Sequence, residues 1–486
     1  MMLSNLDDPI NGFCKNKKIN SIPLYLVKDI SELESSDLIT NEQKKFLKSA
    51  FQLETNNFGF FPDINLNLAG AVAIITSSKE PRKSIIDQSA AISKKVPKKK
   101  WALKIIGKFE DKEISDFILG WGLSFYKFEI TKTKNNKPTQ NLCLNEIKGL
   151  INKKLLEKSI AELKSIFLTR DLINLPPNIL TPQKYIEIVK TSLKRFGVKF
   201  TIYEKEKLEK NFPLINFVGR SAENKPALID IKWENTRKDI PSIVLIGKGV
   251  TFDSGGLDIK PSGSMLLMKK DMGGSAVVLG IGFALMSLNC PVNLRIILPL
   301  AENAVSDKSM RPMDIIYSRN KTPVEIGNTD AEGRLLLADA LTYSQEGKNK
   351  NDFIINFATL TGAARVALGT ELPALFANNK ELGESIIRSG EEQIDPMWEM
   401  PLFLPYERFL DKSYNVINST GSAGTGGAIT AALFLKKFIN PDTKWAHIDL
   451  MAWNNNSRPG FPVGGEAMGL RNIVNMILNH CNKNKA

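Results

Sequence analysis

Four carboxylates in three glycine-rich segments are the residues of this 486-residue sequence best suited to chemistry. Asp253 precedes Ser-Gly-Gly, Asp271 precedes Met-Gly-Gly, and Asp330 and Glu332 flank Ala331 just before a helix-like run. Sites in α/β sheets form at strand-to-helix connections, so we expect the four side chains to converge. Unpaired, they would repel one another, whereas two divalent cations would balance their charge. The pattern therefore favours a two-metal hydrolytic site with ions ~3.5–4 Å apart.

A site of this kind is compatible with Mn, Mg, Zn or Co, because its ligands are mostly oxygen. A metal pair lowers the pKa of a bound water towards ~7 and polarises a carbonyl. Lys260 and Arg334 would then lie beside the metals and stabilise a developing oxyanion. The chain has only two histidines, His447 and His480, and no C-x-x-C pair. These counts exclude His-Glu-x-x-His metalloproteases and all-cysteine zinc sites.

Each segment taken alone also has an ordinary structural explanation. Asp-Ser-Gly-Gly is a common turn, and the acidic residues of Asn-Thr-Asp-Ala-Glu could cap a helix. Neither Gly247-Lys248-Gly249 nor the glycine cluster at 421–427 matches a phosphate- or dinucleotide-binding loop. The charge count alone would also permit a two-metal phosphatase or another hydrolase.

The composition is that of a globular protein, with 43% hydrophobic and 24% charged residues. The net charge of +13 is spread along the chain, apart from a lysine run at Lys94–Lys100. Such runs are usually solvated loops and less often anion-binding patches. The N-terminus lacks the basic and apolar parts of a signal peptide, and no apolar run reaches the ~20 residues of a membrane span. With scattered cysteines, these features lead us to expect a cytoplasmic protein without membrane contact.

The predicted helices and strands that would position the carboxylates indicate an α/β protein of two domains. We expect a smaller N-terminal α/β domain at 1–154, a linker helix and connection at 155–180, and a catalytic domain at 181–486. In the catalytic domain, apolar strands alternate with helices, which indicates a mostly parallel, mixed sheet flanked by helices. The predicted strands are Ala227–Trp233, Ile243–Ile246, Leu294–Leu300, Phe353–Phe357 and Trp445–Leu450. The predicted helices include Pro182–Arg195, Gly274–Leu288, Ala331–Ser344, Leu382–Arg388 and Ala428–Lys437.

Several motifs occur in a specific order: TFDSGG, IKP, DMGG and NTDAEGR, followed by ATLTGAA. Together they resemble the leucyl aminopeptidases, which are cytosolic dinuclear metallopeptidases. The resemblance covers roughly residues 165–475 and does not extend visibly into 1–150. It implies a hydrolase that removes Leu-like, apolar N-terminal residues from peptides, and a homohexamer of paired trimers.

The resemblance also implies two divalent ions per subunit, manganese or zinc, and a bicarbonate ion. The metal ligands it implies are Lys248, Asp253, Asp271, Asp330 and Glu332. Asp253 and Glu332 would contact both ions. Lys248 binds a metal only as a neutral amine, so its pKa would have to fall far below ~10.4. Lys260 would polarise the scissile carbonyl, and Arg334 would hold the bicarbonate as general base.

Further residues would contact the substrate, whose free amino terminus would bind a metal. The substrate-binding positions implied are Met268, Asn328, Ala331, Thr359, Leu360 and Gly362. An alternative from another class is a nucleic-acid-binding protein that uses the basic N-terminal domain. Its only local support is the run Lys94–Lys100, because Trp101 is the one aromatic residue beside it.

Overall fold

The computed structural model describes residues 12–14, 21–53, 57–78, 80–130, 141–143, 147, 149–234, 240–347, 351–412 and 415–483. The chain divides into two compact units. One unit comprises Met1–Phe167 with Asn456–Pro462, and the other comprises Leu168–Asn455 with Val463–Ala486. The division falls inside the helix Lys153–Asn174, which the sequence analysis assigned to the connection. Over the described ranges, no helix is long and apolar enough to cross a membrane.

The first unit is built on a sheet in the order β1-β6-β5-β2-β4-β3. All of its pairs are parallel except β3 with β4. Its strands are β1 (Phe13–Cys14), β2 (Ile22–Val27), β3 (Phe58–Pro62), β4 (Leu68–Ile74), β5 (Lys100–Ile105) and β6 (Asn141–Cys143). Its helices include Asn41–Leu53, Ile85–Lys95 and Asp111–Leu123. The returning segment 456–462 is attached by an ion pair between Arg458 and Asp87.

The lysine run of this unit faces solvent, but only part of it is a loop, because its first two lysines end the helix Ile85–Lys95. Lys94, Lys95, Lys98 and Lys99 face solvent, and Lys100 begins β5. Trp101 is fully buried, so its ring is not available for stacking on a base.

The second unit contains the main sheet, in the order β16-β15-β18-β14-β9-β11-β8-β7, with β10 paired to β11. Neighbours from β18 to β11 are parallel, and β7, β8 and β15 add antiparallel pairs. Its strands are β7 (Lys199–Glu204), β8 (Ala227–Trp233), β9 (Ser242–Gly247), β10 (Gly249–Asp253), β11 (Asn293–Asn303), β12 (Ile315–Tyr317), β13 (Pro323–Glu325), β14 (Phe353–Ala358), β15 (Ala374–Ala377), β16 (Trp398–Glu399), β17 (Ile417–Asn418), β18 (Trp445–Asp449), β19 (Trp453–Asn454) and β20 (Gly464–Gly465). Strands β12, β13 and β17 form one small sheet, and β19 pairs with β20.

Helices flank the main sheet. They are Pro182–Leu193, Lys205–Asn211, Pro213–Gly219, Ser262–Met265, Gly273–Ser287, Gly333–Ser344, Gly362–Leu368, Lys380–Gln393, Gly427–Lys436 and Leu470–Lys483. Gly273–Ser287 is almost entirely buried, because its sequence is apolar around the whole helix. The expected fold, an α/β protein with a mixed, mostly parallel sheet flanked by helices in its catalytic part, is confirmed.

A buried ion pair anchors the C-terminal part of this unit. Arg170 has no exposed surface, and its guanidinium lies 2.8 Å from the carboxylate of Glu466. Glu466 also accepts a hydrogen bond from Asn454 at 2.6 Å. Because breaking a buried pair leaves an uncompensated charge, at a cost of about 3–5 kcal/mol, this contact holds the chain after β20 in place.

Candidate metal centre

Five strands of the main sheet end beside one another and carry the residues of the site. Lys248 directly follows β9, Asp253 ends β10, and Asn303 ends β11. Thr359 follows β14, and Asp449 ends β18. Because these strands are parallel, their carboxyl ends share one edge, where α/β proteins form their sites.

The four predicted carboxylates converge at this edge around two lysines. Oxygens of Asp253, Asp330 and Glu332 lie within 4.8 Å of one another. The Lys248 ammonium lies 2.7 Å from Asp271 Oδ2 and 2.8 Å from Glu332 Oε1. The Lys260 ammonium lies 2.8 Å from Asp253 Oδ2 and also contacts Asp330. The two lysines therefore balance part of the negative charge.

Burial makes it costly for all the carboxylates of this cluster to be charged at once. Asp253, Asp271 and Glu332 are each at most 2% exposed. Burial and the charge of Asp253 raise the pKa of Glu332, and burial with the charge of Asp271 raises the pKa of Asp253. Buried Glu332 Oε2 has no hydrogen-bond partner in the described part of the chain. Surplus negative charge and an unpaired oxygen are what divalent cations would satisfy, so the donor set fits a metal site.

Both lysines are held in their charged form. Burial favours the neutral amine of Lys248, but the carboxylates of Asp271, Glu332 and Asp253 outweigh it and raise its pKa. Burial likewise opposes the charge on Lys260, and its pKa is nevertheless raised, chiefly by Asp253. A neutral Lys248, which the family resemblance implies, would therefore require a bound cation to displace its proton.

The segment that carries Asp271 is a short 3₁₀ helix, Met268–Met272, before the long buried helix. The Thr359 hydroxyl donates to Asp271 Oδ1 at 2.7 Å, which fixes the carboxylate. The Thr359 carbonyl accepts a hydrogen bond from Lys248 at 3.2 Å. One loop after β14 therefore orients two of the predicted ligands.

Two supporting residues were not among the predicted site residues: Asn303 lies in none of the motifs, and Thr329 lies inside NTDAEGR. Asn303 donates to Asp253 Oδ1 at 2.8 Å and to the Thr329 carbonyl at 3.1 Å. Thr329 in turn donates to the Gly255 carbonyl at 2.6 Å. These bonds join the loop of Asp253 to the loop of Asp330. Only the polar ending of an otherwise apolar strand could have signalled Asn303.

Asp449 is a third residue that was missed. It is buried, and its Oδ1 accepts hydrogen bonds from the backbone of Leu360 and Thr361 at 2.9 and 3.3 Å. Its Oδ2 accepts one from the Thr361 hydroxyl at 2.6 Å. Asp449 therefore shapes the loop that carries Thr359 and does not itself join the carboxylate cluster.

The capping explanation for the acidic motif is wrong. The helix begins at Gly333, two residues later than predicted, and Glu332 directly precedes it without capping it through its side chain. The turn explanation holds in part, because Asp253 Oδ1 accepts a hydrogen bond from the Gly255 amide at 2.9 Å. Asp253 thus shapes its turn with one oxygen and contacts Lys260 with the other.

A cavity of about 380 Å³ opens onto the cluster. All six predicted substrate-binding residues line it: Met268, Asn328, Ala331, Thr359, Leu360 and Gly362. Lys248, Asp253, Lys260, Asp271, Asp330 and Arg334 line it as well. The structure therefore brings the predicted site residues together around one cavity, with Glu332 buried beside Lys248.

Arg334 is nearly buried, with 7% of its surface exposed. Its Nη1 donates to the Ser419 carbonyl at 2.6 Å, and buried Nε has no partner among the residues described. Burial lowers its pKa to about 10. A small anion in the cavity would satisfy this guanidinium.

His447 lies outside the site. It is fully buried on β18 and stacks between Trp445 and Phe376. Burial lowers its pKa to about 3, so it is neutral, and its Nδ1 lies 2.8 Å from Asn356. Its role is structural packing.

Comparisons with known proteins agree with this geometry. Residues 167–474 match the family described as "Cytosol aminopeptidase family, catalytic domain". The chain belongs to the cytosol aminopeptidase family. A probable cytosol aminopeptidase of Wolbachia pipientis wMel is 37% identical over 371 residues, 74% of each chain. The predicted resemblance to the leucyl aminopeptidases is thereby confirmed, and the protein is a metal-dependent aminopeptidase, a hydrolase.

Solved structures of this family superpose closely. The crystal structure of a cytosol aminopeptidase from Coxiella burnetii has a TM-score of 0.85 and 36% identity, covering 97% of this chain and all of the other. The bottromycin maturation enzyme BotP in complex with Mn has a TM-score of 0.81 and 25% identity, covering 95% and 99%. Divalent-metal dependence is thus supported by a relative that was solved with manganese.

Gly333 provides a direct test of how Lys248 is positioned. A methyl group at Gly333 would stand 2.6 Å from Lys248 Nζ, closer than atoms pack. We predict that Gly333→Ala displaces the amine and weakens Mn²⁺ binding about tenfold or more, as measured by calorimetry. Gly263→Ala is the matched control, because nothing lies within 4 Å of its added methyl. Unchanged affinity in folded Gly333→Ala would contradict this role of Lys248.

Proposed function

We propose that this cytosol aminopeptidase binds two divalent ions, manganese or zinc, and removes single N-terminal residues from peptides. The observation that carries the proposal is the convergence of four carboxylates and Lys248, with Glu332 Oε2 buried and unpaired. One ion would be held by Asp253, Asp330 and Glu332. The other would be held by Lys248, Asp253, Asp271 and Glu332. Bound there, the ions would acidify a water molecule and polarise a peptide carbonyl.

The chain's own groups then handle the substrate. Hydrolysis adds the water oxygen to the carbonyl carbon, breaks the C–N bond and leaves a proton on the departing amine. Charged Lys260, beside Asp253 and Asp330, would donate a hydrogen bond to the carbonyl oxygen as negative charge develops there. Leu360, whose backbone amide donates a hydrogen bond to Asp449 at 2.9 Å, lines the same cavity, as does Asn328.

Arg334 would hold a bicarbonate ion that accepts the proton of the attacking water. Support comes from its buried, unpartnered Nε and from its position in the cavity wall. No histidine is among the described residues that line the cavity, so the bound anion would serve as the base. The homohexamer, the cytoplasmic location and the peptide substrates remain predictions from the family resemblance.

The nucleic-acid alternative gains no support. Trp101, the aromatic residue next to the exposed lysine run in the sequence, is fully buried. The matching family and the Wolbachia and Coxiella relatives are described as cytosol aminopeptidases, and none of these descriptions mentions nucleic-acid binding.

The proposed function is tested with chelated protein before and after Mn²⁺ or Zn²⁺ is added. We expect metal to restore hydrolysis of aminoacyl anilides, and N-acetylation of the substrate to abolish it, because the free amine contributes to binding. Hydrolysis of acetylated and free substrates at equal rates would contradict an aminopeptidase. Two bound ions without any hydrolysis would point to another hydrolase substrate.

Glu332→Gln tests whether this carboxylate is shared by both ions. The substitution keeps the side-chain shape and removes the charge, so we predict loss of both ions and of activity. Metal content measured by atomic emission gives the result, and circular dichroism confirms folding. Glu346→Gln is the control, since Glu346 pairs with Arg319 at the surface. Two ions retained in Glu332→Gln would refute the shared-ligand assignment.

A further inference from the structure

Two basic side chains line the cavity without a proposed part in binding metal, polarising the carbonyl or holding bicarbonate. They are Lys270 and Arg365. From the family resemblance we expected Leu-like N-terminal residues, with Met268, Thr359 and Gly362 among the substrate-binding positions and no role for either cation. All five residues line this cavity.

Lys270 is a buried ammonium with no counter-charge in contact. Only 3% of the residue is exposed, and its side-chain ammonium makes no hydrogen bond and no ion pair with any described residue. Its neighbour Lys269 behaves differently, because it donates to the Asn174 carbonyl at 2.9 Å and lies over the Trp453 ring. A buried ammonium is costly unless an anion pairs with it, which makes its place in a cavity wall informative.

Arg365 supplies a second positive charge at the mouth of the cavity. It is exposed and belongs to the helix Gly362–Leu368. Its Nη1 lies 3.8 Å from Met451 Sδ, and its Nη2 lies 3.5 Å from where a Cβ on Gly362 would stand. The guanidinium is therefore held against the wall formed by Gly362. In the described structure it forms no ion pair with a carboxylate.

The two cations line the cavity that would receive the side chain of a substrate's first residue. Lys270 directly precedes Asp271, a proposed metal ligand, and follows Met268 by two residues. With the free amine of the substrate at the metals, its side chain would point towards Met268, Thr359 and Gly362, the positions that the family resemblance implies. An acidic side chain there would reach a buried ammonium and a guanidinium, which binds carboxylates through paired hydrogen bonds.

We propose that this pocket selects peptides whose N-terminal residue is glutamate or aspartate, with the side-chain carboxylate bound by Lys270 and Arg365. The proposal rests on the proposed aminopeptidase function and replaces the expected Leu-like preference. The methylene chain of Lys270 and the side chain of Met268 would pack against the methylene groups of the substrate's acidic side chain. A neutral isostere would leave Lys270 buried without a partner, so charge sets the selectivity.

The test compares Mn²⁺-loaded protein on aminoacyl anilides of Glu, Gln, Asp, Asn and Leu. Glutamine has nearly the shape of glutamate without its charge, and an anilide has no C-terminal carboxylate. We expect kcat/KM for Glu to exceed that for Gln about tenfold or more, the usual effect of a charged hydrogen bond. Equal rates for Glu and Gln, or a preference for Leu, would overturn the proposal.

Variants assign the selectivity to its residues. Lys270→Met should bring the Glu/Gln ratio close to one, Lys270→Arg should keep much of it, and Arg365→Met should reduce it. Lys269→Met is the matched control, because it removes a neighbouring charge that points away from the cavity. A Glu/Gln ratio that survives in both Lys270→Met and Arg365→Met would overturn the assignment. Since Arg365 is exposed, its variant remains informative even where Lys270→Met folds poorly.

Two further outcomes distinguish a failure of the proposed selectivity from a failure of the proposed aminopeptidase function. If no anilide is hydrolysed with any metal, the proposed function fails and the selectivity fails with it. If anilides are hydrolysed without a Glu preference, the aminopeptidase stands and only the selectivity is wrong. A loss in Lys270→Met confined to free dipeptides would assign the cation to their C-terminal carboxylate, and it would overturn the side-chain assignment.

Discussion

The repulsion among buried carboxylates at one edge of the main sheet is the constraint on which the site depends. Asp253, Asp271 and Glu332 are almost inaccessible to water, so their charges must be balanced within the protein. Lys248 and Lys260 each lie between two carboxylates and supply part of that balance. The raised pKa of Glu332 and its unpaired oxygen leave room for divalent cations. The hydrolytic chemistry proposed here is a consequence of that charge balance.

The residues around the site fix the positions of these charged side chains. Gly333 leaves space for the Lys248 amine, and Asn303 joins the loops of Asp253 and Asp330. Asp449 fixes the loop that carries Thr359, which in turn orients Asp271. Each contact arises where a parallel strand ends, which is why a sheet of this type can bring together residues from distant parts of the chain.

Much of the fold and of the proposed metal site could be predicted from the sequence. The proposed ligands lie in motifs that occur in a specific order, and the strands that precede them are apolar. The supporting residues Asn303 and Asp449 could not, since a single polar residue at the end of a strand has no local pattern. Lys270 and Arg365 were visible in the sequence but carried no signal there. Only burial without a partner for Lys270, and a shared cavity for both, distinguishes them from ordinary surface charges. Some helices begin one or two residues away from their predicted starts. The helix predicted from Ala331 begins at Gly333, because the acidic residues before it resemble a helix cap.

The proposed activity therefore has two parts: carboxylates that would hold the metal ions for hydrolysis, and cations lining the same cavity that would select the substrate. The most direct test of the central claim is an anomalous difference map from crystals of the manganese-loaded protein. The account predicts two peaks ~3.5–4 Å apart. One would lie between Asp253, Asp330 and Glu332, and the other beside Lys248 and Asp271. A single peak, or two peaks that do not share Glu332, would contradict it.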